Sequence, residues 1–144
     1  MSALLEQVGH MHLLGVAVGS GLGAIVRAAV DRAVVRRHGA TRLPWATLSV
    51  NVLGSLLLGL VLAIGALPTF ADTPAGAQEV ARTLHLVVGT GFCGGLTTYS
   101  TYSVESFLLL LERRRAAAVG YAALTMGLGM AAVILGTSLG GAVG

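Results

Sequence analysis

Residues 89–105 read "GTGFCGGLTTYSTYSVE". This stretch carries four glycines and six serine or threonine hydroxyls, ends on Glu105, and sits inside a long apolar segment. Its first six letters spell G-x-G-x-x-G. A dinucleotide fingerprint needs a strand before it, a helix after it and a βαβ unit around it, and the flanks offer no alternating strand pattern. The stretch reads instead as a break in a membrane helix, made by glycines and a Thr-Thr pair. Broken backbone at membrane depth is tolerated only where it is buried in protein or lines a cavity. The helix ends freed by such breaks bind ions in many transporters. Freed carbonyls suit a hard cation, and the hydroxyls of Thr97, Thr98, Ser100, Thr101 and Ser103 can donate to an anion.

The rest of the chain supports lipid as its solvent. It has 144 residues, 55% hydrophobic and 10% charged, against about 25% charged in a soluble domain. Four segments are long and apolar enough for membrane helices of about 20 residues. They run over 11–34, 44–67, 83–111 with its break near 94–98, and 117–140, and together form a single membrane domain. Pro44 suits a helix start, and Trp45 suits the aromatic belt at the interface. The polar connection 68–82 reads as a loop with room for one short interfacial turn. The first segment has no basic leader and carries Arg27 inside it, unlike a cleaved signal peptide. The single cysteine, Cys93, excludes an intramolecular disulfide. The positive charge is nine arginines without lysine, too scattered for a nucleic-acid surface.

Arginine also predicts orientation. Arg32, Arg36, Arg37 and Arg42 flank the first connection, and Arg113, Arg114 and Arg115 form the third. Arg82 stands alone on the other side. Basic short loops stay cytoplasmic, so both termini are expected outside an inner, or plasma, membrane. Small residues recur four apart at Gly15, Gly19 and Gly23, at Ser55 and Gly59, and at Gly136 and Gly140. This spacing lets helices approach closely in lipid, within one chain or between chains.

Polar residues inside spans are costly and are functional candidates by default. Arg27 has two readings: snorkelling or structural pairing, and drawing anions into a vestibule. Asn51 has two as well: glue between helices, and a donor of two N–H groups to a passing anion. Tyr99 and Tyr102 share a helical face, as do Tyr121, Thr125 and Gly129.

These residues resemble the Fluc (CrcB) fluoride channels over nearly the full length. The resemblance is carried by "GSGLGAIVRAAV", "TLSVNVLGSLLLG", "GFCGGLTTYSTYSVE" and "YAALTMGLG", in the family's order. It implies an all-α membrane protein of four transmembrane helices, the third broken, in an antiparallel dual-topology-type dimer. It implies passive fluoride export that relieves toxicity, and a structural sodium ion (Na+) at the dimer centre. The main-chain carbonyls holding that ion fall on Gly94 and Thr97. The vestibule cation falls on Arg27 and the pore amide on Asn51. The two pore-lining aromatic positions fall on Tyr99 and Tyr102, and the hydroxyl track on Tyr121 and Thr125. Thr98 and Ser100 complete the expected anion pathway, and Glu105 matches the acid closing the third motif.

Three features depart from the family. Tyrosine stands at both phenylalanine positions, Gly129 lacks a hydroxyl, and the arginine bias is seven to one. The expected partner is a second Fluc-type subunit in antiparallel orientation, in a homo- or heterodimer; because a homodimer of antiparallel copies calls for balanced basic loops, the bias points to one half of a pair of differently oriented chains. Two other classes compete: a non-conducting assembly subunit, and a small multidrug-type exporter, which needs a membrane carboxylate. No nucleophile–base pair or metal-ligand spacing points to an enzyme.

Overall fold

The computed structural model describes residues 2–38, 43–65 and 75–142. Among these the secondary structure is entirely helical. Helix α1 spans Ser2–His38, α2 spans Trp45–Gly65 and α3 spans Ala75–Leu84. The chain continues without interruption into a π-helical segment, π1 (His85–Cys93), and a short turn, α4 (Gly94–Leu96). Helix α5 (Tyr99–Leu111) completes this third, divided helical stretch and α6 (Arg115–Gly141) follows it. Three helical stretches are long and apolar enough to cross a membrane: His10–Arg37, Trp45–Ala63 and Arg115–Gly141. The stretch over Ala75–Leu111 is divided instead, because Thr97 and Thr98 are extended, with φ/ψ of −77°/159° and −150°/121°.

The helix ends follow from local chemistry. Pro44 precedes α2, and its carbonyl accepts from Leu48 N–H at 3.2 Å. The segment read as a loop is helical from Ala75 onward. Its alanines, Gln78, Glu79 and Arg82 are good helix formers, and continuing straight into the crossing leaves no helix end to cap. Residues 66–67 of the second span and 68–74 of the connection lie outside the described residues. His12 Nε2 lies 2.9 Å from Glu79 Oε1 and 3.2 Å from Thr83 Oγ1, which ties α3 to α1.

The molecule is packed inside out relative to a soluble bundle. Large apolar side chains such as Leu13, Leu22, Ile25, Leu53, Phe107 and Ile134 point outward, while Ala46, Ala63, Ala118 and Ala132 are buried. Lipid removes the penalty for the first set, and small residues let backbones touch. The glycine rows form two seams within this one chain. Gly15, Gly19 and Gly23 of α1 face π1 and α4: a Cβ at Gly19 would meet the carbonyl of Val87, and one at Gly23 that of Phe92. From the other side, a Cβ at Gly95 would meet the Ser20 carbonyl and one at Gly91 would lie 2.9 Å from the Val16 carbonyl. Gly59 of α2 and Gly136 of α6 interlock in the same way, against the Val133 and Leu56 carbonyls. Gly91 and Gly95, ahead of the break, therefore serve close packing. Gly94 and Gly95 remain helical, and the interruption itself is the work of Thr97 and Thr98.

Between α5 and α6 the chain reverses through Glu112, Arg113 and Arg114. Arg114 N–H reaches Leu109 O and Arg113 N–H reaches Leu110 O, both at 3.0 Å, the pattern of a Schellman turn. Arg113 takes the left-handed position at φ 59°, where glycine is the usual residue.

Two outcomes follow for stability in detergent. Gly136→Val should lower unfolding stability by about 2–3 kcal/mol, because the new branched side chain has only backbone to displace. Arg113→Gly should leave stability unchanged or raise it by up to about 1 kcal/mol, as relief of left-handed strain offsets the added freedom of the unfolded chain. Thermal unfolding of the purified chain checks both.

Candidate functional site

The site is built where α2 lies against the break. Along α2, Thr47, Asn51 and Ser55 recur every four residues and share one face; Gly54 lies beside them. That face meets the third crossing at successive points. Thr47 donates to Glu105 Oε1 at 2.9 Å. Asn51 Nδ2 donates to Thr98 O at 3.2 Å, while Thr98 N–H donates to Asn51 Oδ1 at 2.8 Å. At Gly54 a Cβ would collide with Thr97 Cγ2, so only glycine lets α2 come this close.

The break itself is nearly saturated. Thr97 N–H and Oγ1 both donate to Cys93 O at 3.0 Å. Arg27 reaches across from α1, and its Nη1 donates to Thr97 O at 3.0 Å. Thr98 caps α5, accepting from Thr101 N–H at 3.2 Å. Its hydroxyl also donates to Thr101 Oγ1 at 3.0 Å and lies 3.3 Å from Ser100 Oγ. Because Thr98 N–H turns to Asn51, the Gly94 carbonyl loses the donor an unbroken α-helix would give it. Gly94 is exposed, and nothing lies within 4 Å of the position its Cβ would take.

Two cavities adjoin at Thr98. The larger, about 490 Å³, is lined by Asn51, Ser55, Cys93, Gly94, Thr97, Thr98, Tyr99, Tyr102 and Thr125, among others. The smaller, about 320 Å³, is lined by Arg27, Asp31, Thr47, Thr98, Thr101 and Glu105 with their apolar neighbours. Thr125 Oγ1 is buried without a hydrogen-bond partner at the wall of the larger cavity. Tyr99 is 78% exposed and Tyr102 is buried. Their rings lie 5.9 Å apart, and Tyr102 lies 5.5 Å from Tyr121, in tilted pairs.

The sequence matches a family model described as "CrcB-like protein, Camphor Resistance (CrcB)" over residues 14–137. The chain belongs to the CrcB family. It is 41% identical over 126 residues to "Fluoride-specific ion channel FluC 1" of Thermobifida fusca, covering 88% of this chain and 92% of the relative. It is 41% identical over 127 residues to "Fluoride-specific ion channel FluC" of Ignicoccus hospitalis, covering 88% and 93%. It is 42% identical over 133 residues to "Fluoride-specific ion channel FluC 1" of Frankia casuarinae, covering 92% and 98%.

In this CrcB chain most of the expected pathway residues converge. Asn51, Thr98, Tyr99, Tyr102 and Thr125 line one cavity together with Gly94 and Thr97, and Arg27 lines the neighbouring one. Ser100 is exposed beside Thr98. Tyr121 lines neither cavity: it is 1% exposed, and its hydroxyl donates to Glu105 Oε2 at 2.8 Å. Glu105 is thus held through both oxygens, by Thr47 of α2 and Tyr121 of α6. Sequence reading missed Thr47 and took Ser55 only as a packing residue, although both stand four residues from Asn51. Ser55 Oγ lies 3.5 Å from where a Cβ of Gly129 would be, so a hydroxyl from α2 stands beside the position where α6 has none.

A hydrogen bond to a charged group contributes about 1.5–3 kcal/mol. Tyr121→Phe should therefore destabilise the protein by about that amount. A double-mutant cycle with Thr47→Val, read by unfolding, should show coupling through their shared carboxylate. Additive effects would mean that the two hydroxyls act independently.

Proposed function

We propose that this chain is a subunit of a fluoride-selective channel that passively exports the ion across the plasma membrane and so relieves its toxicity. The observation that carries the reading is the convergence of Asn51, Thr98, Tyr99, Tyr102 and Thr125 on one cavity beside the helix break, in a chain whose relatives are named for fluoride channels. Fluoride is small and strongly hydrated, so a pathway must replace its water with donors. Asn51 keeps one amide N–H beyond the one given to Thr98. Thr98, Ser100 and Thr125 offer hydroxyls, and Tyr99 and Tyr102 offer hydroxyls together with the positive edges of their rings. Arg27 supplies charge at the smaller cavity, which Asp31 and Glu105 also line. Tyr121 contributes by fixing Glu105.

A sodium ion fits the break. The Gly94 carbonyl is released from its helical donor on an open face, and the Thr97 carbonyl keeps one lone pair beside Arg27. These main-chain oxygens suit a hard cation, and its charge would offset the cost of an anion in low dielectric. Exposed polar backbone and hydroxyls at Gly94, Tyr99 and Ser100 need cover in lipid. A second Fluc-type subunit in antiparallel orientation provides it.

The arginine distribution favours one form of that assembly. Seven arginines against one fix a single insertion, with both termini outside, so the partner is a different chain of opposite orientation. The exporter reading loses its support, because Glu105, the carboxylate it would use, has both oxygens engaged.

Fluoride efflux from liposomes tests this directly. Efflux is expected when the chain is reconstituted with an oppositely oriented partner and not when it is alone. Fluoride-selective flux from the chain alone would replace the heterodimer with a homodimer. No flux in either preparation would overturn the channel reading in favour of a non-conducting subunit.

A further inference from the structure

We propose that Asn51 is a positioning residue: its carboxamide holds both the backbone N–H and the backbone C=O of Thr98 and thereby sets the register between the two halves of the broken helix. The assignment starts from the geometry of the amide. A carboxamide carries a donor and an acceptor in one plane, as a neighbouring backbone strand would. Both are used on a single residue, with Thr98 N–H given to Oδ1 at 2.8 Å and Thr98 O taking Nδ2–H at 3.2 Å. Thr98 is extended, which allows its N–H and C=O to face one partner as they do in a sheet. Asn51 therefore acts as a one-residue strand inside a helical protein.

Asn51 is the one carboxamide in the Trp45–Gly65 sequence of α2. Aspartate would keep the acceptor and put a negative charge against the Thr98 carbonyl. Leucine would leave both backbone groups unpaired away from water, each at the cost of its full desolvation. The clamp also lies between two other fixed points. Arg27 holds the preceding carbonyl, at Thr97, and the Thr98 hydroxyl caps α5. Since α2 carries the clamp and its neighbour Gly54 sets how near α2 comes, the direction of the Gly94 and Thr97 carbonyls is decided within a single chain, before any second subunit arrives. The clamp does not depend on conduction; its consequence for a bound cation rests on the function proposed above.

The test uses the full chain in lipid nanodiscs with isotope-labelled threonine. The Thr98 amide should exchange slowly with solvent in the wild type. It should exchange at least about tenfold faster in Asn51→Leu, and stay within about threefold of wild type in Asn51→Asp, which keeps the acceptor. Unchanged exchange in Asn51→Leu would overturn the clamp. If that variant does not fold, loss of protection in Asn51→Asp would overturn it instead. Thermal unfolding titrated with sodium chloride gives the second readout. A positioning role shifts the sodium midpoint at least about fivefold in the uncharged Asn51→Leu, since releasing the Thr98 N–H frees the planar peptide that carries the Thr97 carbonyl. A role confined to donating a hydrogen bond to the anion leaves that midpoint in place and would sink the proposal. A wild type with no sodium response would remove the cation from the proposed function, and the Thr98 exchange would still decide the clamp.

Discussion

The structure depends on one constraint: a peptide chain that leaves its helix inside a membrane must find partners for the groups it exposes. At Thr97 and Thr98 side chains take that role. The chain meets the constraint with side chains drawn from three places: Arg27 from α1, Asn51 from α2 and the Thr98 hydroxyl from the break itself. Each must arrive at a fixed height along its own helix. The glycine seams make that possible, because α1 can bring Arg27 to Thr97 only if its backbone touches π1 and α4, and α2 can bring Asn51 to Thr98 only if Gly54 leaves room. Packing and polar chemistry are therefore one problem here, solved by the same few residues.

A second consequence concerns how the charges are arranged. Arg27, Asp31 and Glu105 share one small cavity. Glu105 is restrained by two hydroxyls from two different helices, and Arg27 by a main-chain carbonyl. No side-chain ion pair among the three is needed to hold them. Charges fixed by neutral partners keep their field available to a visiting ion, whereas a direct pair would spend that field internally.

Much of this was legible in the sequence, for reasons that can be named. Lipid leaves a coarse signature in long apolar runs, and three helices of the structure are long and apolar enough to cross a membrane. Arg27, Asn51 and the Thr-Thr pair were conspicuous because polar groups in a span are rare. What sequence could not supply was pairing across helices. Gly95 looked like part of the break because glycine loosens a helix, but the contact it answers to, the backbone of Ser20, is 75 positions earlier and invisible to local reasoning. Tyr121 looked like part of a hydroxyl track by its spacing from Thr125, and only the fold shows its hydroxyl turned to Glu105. The helix over Ala75–Leu84 was hidden by a polar composition that suits a loop equally well. Thr47 and Ser55 kept the period of Asn51, so a stricter search of that one face would have found them.

The hydroxyl of Thr98 has a single proton, and the resting arrangement gives it to Thr101 Oγ1 while the oxygen accepts from the Thr101 backbone. An ion that seeks this donor must first take it from Thr101. Such an exchange rewards ions according to how strongly they accept a hydrogen bond, since a weak acceptor gains less than the internal bond it displaces. Thr98 lines both cavities, so this discrimination would fall at the narrow ground between them. Selectivity can then arise from competition with the protein for its own protons, without a cavity cut to the size of the ion.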